Sequence, residues 1–265
     1  MNFREKRGLG KTGMMAGRLG ISSSYGAPAA AFEEAFDHGC NYFTWGTFIK
    51  GRSSEMRKAI KNIVHKGKRN DLIVSMFTYA HNNFLTEKFF VKGIKSLGIA
   101  YADVLLLGYF PKRPSQKIID GALKLKEKGI VQFIGISGHN RAVFPELIKE
   151  GIFDILHVRY NASNRGAEKD IFPFLNQTNP PGLVSFTATK WKQLLHEKKM
   201  PDGEKAPSAS DCYRFVLSNP AVDICMMGAK NLEQMRENLS VLDSGPLSEE
   251  EIARIVKVGD YVYQK

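Results

Sequence analysis

Short apolar runs alternate with amphipathic stretches along the chain. Eight of the runs read as strands: 17–24 (GRLGISSS), 41–45 (NYFTW), 71–77 (DLIVSMF), 102–109 (ADVLLLGY), 131–137 (VQFIGIS), 153–160 (FDILHVRY), 182–188 (GLVSFTA) and 222–228 (VDICMMG). Most are continuous Val/Ile/Leu runs rather than strict alternations. That pattern marks strands buried on both faces, as in a parallel sheet covered by helices. Helix-period stretches fall between them at 29–38, 54–65, 86–97, 115–128, 141–150, 167–175, 209–218 and 231–241. Gly39, Gly67, Gly98, Gly129 and Gly151 each follow such a stretch, where a left-handed cap suits glycine. Ser115 precedes one as an N-cap. Eight βα units of roughly 30 residues each predict an α/β protein with a (β/α)8 TIM barrel. The rival is an open doubly wound sheet. It wants a G-x-G-x-x-G turn after the first strand, and GISSSYGAP (20–28) does not supply one. Residues 1–16 read as a short hairpin plugging one end of the barrel. Residues 190–208, KWKQLLHEKKMPDGEKAPS, form a long polar loop after the seventh strand and read as a lid.

The 265 residues, 43% of them hydrophobic, suffice for one domain spanning 1–265. A net charge of +11 favours anionic partners. The densest basic run, Lys58 to Arg69, falls at a helix end, where cations suit the macrodipole. No aromatics interleave there to stack on bases, which disfavours nucleic acid. Cys40, Cys212 and Cys225 lie far apart without a CxxC, against a disulfide framework or a metal knuckle and in favour of the cytoplasm. No apolar run approaches the ~18 residues that cross a membrane, and the first residues lack the apolar core of a secretory leader. The oligomeric state is left open.

Six stretches resemble the aldo-keto reductase superfamily in the right order: RGLGKTGMMAGRLG (7–20), AFDHGCNYF (35–43), KGIVQFIGISGHN (128–140), HVRYNASNRGAE (157–168), GLVSFTA (182–188) and MMGAKNLEQMRENL (226–239). The resemblance implies carbonyl reduction of a small-molecule substrate by NADP(H). The nicotinamide gives a hydride, and a Tyr, supported by a Lys–Asp pair and a His, gives the proton. All four of those positions are replaced here, by Thr44 (Asp), Ile49 (Tyr), Phe77 (Lys) and Gly108 (His). Lys50, Tyr79 and Tyr109 lie near the lost positions. A slip of one residue turns a strand side chain to the other face, so they do not count as replacements. Losing one member of a buried Asp–Lys pair costs ~3–5 kcal/mol, whereas losing both can be nearly neutral. The expectation is therefore a rebuilt, neutral, aromatic-lined pocket.

The cofactor end is better kept. The resemblance implies a turn at Gly228 and Ala229, Lys230 on a 2′-phosphate, and Gln234, Glu237 and Asn238 around the adenine. The helix N-terminus near Asn231 offers N–H groups to phosphate. At the nicotinamide end Ser137 is retained, although Gly138 follows it where the family has Asn. His157 replaces the carboxamide-holding Gln, Phe186 the stacking Tyr, and Thr187 a Ser, while Lys190 would reach the pyrophosphate from the lid. New chemistry would come from Ser24, Tyr25, Tyr109, His139, His157, Arg159, Tyr160 or Asn161. His157 and Tyr109 are the candidate proton donors. His157 and Arg159, two apart in one strand, share a face and pair a proton donor with an anion anchor. The competing readings are a satisfied core histidine and an Arg159–Glu168 ion pair; His139 reads as exposed. Three functions remain open: an atypical oxidoreductase, a non-redox lyase or isomerase, and an inactive cofactor-binding pseudoenzyme.

Overall fold

Strands rich in Val, Ile and Leu must bury both faces, and a closed barrel inside a ring of helices achieves this. The computed structural model describes residues 2–46, 53–78 and 83–264. Ile49, Lys50 and Tyr79 lie outside these residues. A hairpin of β1 (Arg7–Gly8) and β2 (Met15–Ala16) leads into eight barrel strands. These are β3 (Leu19–Ser22), β4 (Tyr42–Trp45), β5 (Ile73–Thr78), β6 (Ala102–Leu107), β7 (Val131–Gly138), β8 (Ile155–Arg159), β9 (Gly182–Phe186) and β10 (Ile224–Met227). They pair in parallel, and β10 closes onto β3. Around them lie α1 (Ala29–Asp37), α2 (Ser54–His65), α3 (Asn83–Leu97), α4 (Gln116–Glu127), α5 (Phe144–Glu150), α6 (Ala167–Asp170), α7 (Ala209–Ser218), α8 (Leu232–Leu239) and α9 (Glu249–Gln264).

Every predicted strand and helix has its counterpart, with local corrections. The helix expected over 167–175 is one turn, α6, followed by a 3-10 turn at Phe172–Leu175. Pro173, lacking an N–H, does not continue an α-helix. Ser115 occupies the N-cap of α4 without a side-chain cap bond, whereas Ser208 and Asp211 form a full capping box on α7. The five glycines after helices all have positive φ, between 67° and 90°. The three cysteines are free and buried. Among the described residues no helix is long and apolar enough to cross a membrane.

The barrel floor is filled by inward-facing residues. Tyr42, Ile73, Val104, Ile155, Val184 and Ile224 pack with Leu9 and Ala16 of the hairpin region. Leu9 is fully buried and lies across Gly182, where a Cβ would stand 2.6 Å from Leu9 Cδ1. The hairpin region therefore plugs the amino end, as expected.

At the foot of every second barrel strand a short polar side chain ties down the strand before it. Asn41 Oδ1 accepts from Gly17 N (2.9 Å) and Asp103 Oδ2 from Val74 N (2.7 Å). Asp154 Oδ2 accepts from Ile134 N (2.9 Å) and Asp223 Oδ2 from Leu183 N (2.8 Å). Each carboxylate also holds a cation: Arg69 on Asp103 (2.9 Å), Lys126 on Asp154 (2.8 Å) and Arg7 on Asp223 (3.2 Å). Asp103→Ala strands both the Val74 N–H and the largely buried Arg69. Urea denaturation should show a loss of about 3–5 kcal/mol; a loss below about 1 kcal/mol, the scale of a surface ion pair, would mean that the ties do not hold the barrel.

Candidate active site

Two residues above the floor, the same strand faces line a cleft of about 750 Å³ at the carboxyl ends of the strands. Strand alternation carries the interior from Tyr42 to Thr44, from Val104 to Leu106, from Ile155 to His157 and from Val184 to Phe186. The cleft lies where catalytic groups of this architecture sit.

Thr44 points into the cleft, and its buried Oγ1 has no hydrogen-bond partner among the described residues. Phe77 and Gly108 make one change between them. A Cβ at Gly108 would stand 2.3 Å from the Phe77 ring, so the ring occupies the room a side chain at 108 would need. Positions 44, 77 and 108 thus present a hydroxyl, a ring and a glycine under that ring.

Tyr109 departs from the expectation that it faces away. β6 ends at Leu107, and Tyr109 has φ of 51°. Alternation holds only within a strand, and the left-handed turn brings the phenol ring to the mouth of the cleft. Such a conformation costs a bulky residue about 1–2 kcal/mol. The ring stands edge-on to Phe77 (5.6 Å) and stacks on His139 at 5.0 Å and 10°. His139 is exposed, as expected, yet it also meets Phe186 edge-on at 5.5 Å. Phe77, Tyr109, His139 and Phe186 thus form a continuous aromatic wall. Burial, then the charge of Arg159, lowers the His139 pKa.

His157 is buried, and its Nε2 lies 2.9 Å from the Tyr42 hydroxyl. Burial lowers the imidazole pKa to about 3 and raises that of the Tyr42 phenol. The ring is neutral at physiological pH and its partner holds its proton. This corrects the expectation of an imidazolium donor: His157 is a neutral hydrogen-bonding group, with Nδ1 unpartnered among the described residues. Sequence reading passed over Tyr42, although its spacing of two from Thr44 signals the same inward face.

The expected Arg159–Glu168 pair does not form. Glu168 accepts instead from the Tyr160 hydroxyl (2.6 Å), which also receives Asn219 Nδ2 (3.3 Å). Asn161 braces two loops, donating to Thr187 O (2.8 Å) and accepting from Ser163 N (3.0 Å). Tyr160 and Asn161 are therefore structural. Ser24 falls in a 3-10 turn (Ser23–Tyr25), and the Tyr25 ring lies so close over Gly228 that a Cβ there would meet it at 2.0 Å.

Gly228, Lys230, Gln234, Glu237 and Asn238 line the cleft together with Ser137, His157, Phe186 and Thr187. Asn231 caps α8 by accepting from Gln234 N (2.9 Å), Gln234 Oε1 accepts from Lys230 N (3.1 Å), and Asn238 Nδ2 donates to Gly228 O (3.3 Å). Ala229 is buried beneath the turn. Lys190 is turned away from the cleft, donating to Ser163 Oγ (2.9 Å) and to Val262 O in α9 (2.6 Å). Lys190, Trp191 and Lys192 are all left-handed (φ 47°, 52° and 68°), and this turn places Trp191 and Lys192 on the cleft instead. The long loop is not a free lid. Leu194 and Met200 are buried, Glu204 pairs with Lys257 (2.9 Å) and Arg254 (3.5 Å), and Arg254 donates to Lys205 O (2.7 Å).

The buried imidazole has a pH signature. Below the ordinary value of 6.5 the unfolded chain protonates His157, while the native chain refuses the proton down to about 3. Its contribution therefore lowers stability as pH falls through that window, and vanishes above it. His157→Gln should gain on the parent by about 1.4 kcal/mol per pH unit below pH 6 in urea denaturation. A stability gap that stays constant from pH 7 to pH 5 would contradict a buried neutral imidazole.

The aldo/keto reductase family model matches residues 13–210 and 191–260. An uncharacterized oxidoreductase, YqkF of Bacillus subtilis (strain 168), is 23% identical over 280 residues, covering 89% of each chain. The aldo-keto reductase AKR11C1 of Bacillus halodurans in its holo form superposes with a TM-score of 0.79 at 18% identity over 96% of both chains. An aldo/keto reductase of Klebsiella pneumoniae, solved with NADP and acetate, gives 0.78 at 17% identity over 97% of this chain and 96% of its own. With the family model spanning the barrel from the hairpin to α9, the chain belongs to the aldo/keto reductase family.

Proposed function

We propose that the chain is an NADP(H)-dependent oxidoreductase that acts on a small carbonyl or alcohol substrate without the usual tetrad. The observation that carries this reading is one long cleft lined by both groups of residues. Lys230, Gln234, Glu237 and Asn238 stand at the α8 end, and Ser137, His157 and Phe186 stand over the barrel axis. The residues fit the group. Phe186 offers a flat face, Ser137 a hydroxyl, and His157 the unpartnered Nδ1 in place of an amide. Lys230 supplies a cation at the start of α8, whose N-terminal N–H groups suit phosphate. The NADP-bound Klebsiella relative supports the same assignment.

When bound, the nicotinamide supplies a hydride to the carbonyl carbon and leaves as the oxidised cofactor. The protein's part is to hold the carbonyl near Thr44 and to return a proton to its oxygen. Tyr109 is the proton-bearing side chain in the aromatic wall and takes that role; neutral His157 does not. General acid catalysis contributes ~10²–10⁴-fold and preorganised oxyanion support ~10²–10³-fold. Without the lysine and histidine of the tetrad, turnover of ordinary substrates is slow.

The cofactor preference is open to titration. Both tryptophans of the chain, Trp45 and Trp191, line the cleft, so their fluorescence reports its occupancy. NADPH should bind more tightly than NADH, and Lys230→Ala should weaken NADPH by about 1–3 kcal/mol while hardly affecting NADH. Equal losses for both cofactors, or binding of neither, would sink the assignment.

Activity discriminates the proton donor. NADPH oxidation with small aromatic aldehydes should run close to background, and Tyr109→Phe should lower any residual rate by about 10²-fold. His157→Gln should leave kcat nearly intact, and the parent's pH–rate profile should show no imidazole inflection between about 6 and 7. Brisk turnover unchanged in Tyr109→Phe would overturn the reading.

A further inference from the structure

One cation at the mouth of the barrel has no counter-charge among the described residues. Arg159 is the last residue of β8, still inside the strand, so alternation from Ile155 and His157 turns it toward the barrel axis. Its partner across β9 is Phe186. The residue is only half-buried, and its side chain makes no ion pair or hydrogen bond among the described residues. Arginines in the adjoining loops are matched: Arg141 holds Asp170 (2.7 Å) and Arg165 holds Asp260 (2.8 Å).

The surroundings sharpen the imbalance. His139 and Lys190 both feel the charge of Arg159, which adds to burial in lowering their pKa values, with Lys199 also acting on Lys190. Lys192 stands on the cleft nearby. Glu237 is the sole carboxylate among the described residues lining the cleft, and it lies at the α8 end. The β8 corner is thus electropositive, and it opens beside the flat wall of Tyr109, His139 and Phe186.

We propose that Arg159 is a specificity residue for an anionic substrate: a planar carbonyl compound bearing a carboxylate or phosphate. The anion pairs with the guanidinium fork while the planar body lies against the aromatic wall. Arginine suits the task because its planar donors meet a carboxylate or phosphate two at a time. The inference rests on the reading above that the cleft takes a small carbonyl substrate. A cofactor pyrophosphate has the same chemistry and is the rival source of the anion.

Tryptophan fluorescence of the full chain separates the two. The probes are benzoate, its neutral analogue benzamide, and NADP⁺, each titrated into the parent, Arg159→Met and Arg159→Lys. The parent should prefer benzoate over benzamide by about 10-fold or more, as a charge-assisted bond allows. In Arg159→Met that preference should shrink to about twofold or less with NADP⁺ affinity nearly unchanged, and Arg159→Lys should be intermediate. Loss of NADP⁺ affinity by about 10-fold, with the benzoate preference intact, would assign Arg159 to the pyrophosphate and overturn the proposal. Equal binding of benzoate and benzamide by the parent, or no benzoate binding, overturns it as well. A benzoate preference that depends on Arg159 in a chain binding no NADP⁺ would uphold the anion site and remove the redox reading.

Discussion

The register of the closed barrel is the constraint on which the site depends. Side chains alternate with a period of two, so a shift of one residue in any strand would turn its cleft-facing residues outward. The polar feet of β4, β6, β8 and β10 oppose such a shift. Asn41, Asp103, Asp154 and Asp223 each accept one N–H from the preceding strand, and that bond is available in one register only. The three carboxylates are held in turn by Arg69, Lys126 and Arg7. With the amino end tied and plugged by Leu9, the carboxyl end is free to vary in chemistry without losing its geometry.

The variation is correlated. Phe77 without a side chain at 108 is a packed wall, and Phe77 with one is a clash at 2.3 Å. His157 alone would bury an unsatisfied imidazole, and Tyr42 on a strand across the barrel interior satisfies it at 2.9 Å. Among the described residues lining the cleft, the charged ones are Lys192, Lys230 and Glu237.

Much of this was legible beforehand. The eight strands, the hairpin plug and the glycine caps all follow from local pattern, because each depends on neighbours within a few positions. The same alternation paired His157 with Arg159 on one face and set Tyr109 on the other. It failed at Tyr109, where the strand had ended, and at Lys190, where three left-handed residues turn the chain. Nothing local forecasts a positive φ on tyrosine or lysine, since the cost is borne by packing elsewhere. The lid reading failed for a related reason: 190–208 is polar overall, yet Leu194, Met200 and Glu204 anchor it to the core and to α9.

By itself the sequence determined the barrel and the family, because these rest on residue identity and period along the chain. Only the tertiary structure decided which polar groups are partnered. Tyr42 with His157 is a contact across 115 positions, and the Tyr160–Glu168 bond that leaves Arg159 without a carboxylate depends on how β8 meets the loop after it. Protonation follows partnership and burial, not residue type. A histidine that looks like an acid in the sequence is a neutral hydrogen-bonding group inside the barrel, and an arginine for which the sequence left a carboxylate partner open has no ion pair among the described residues.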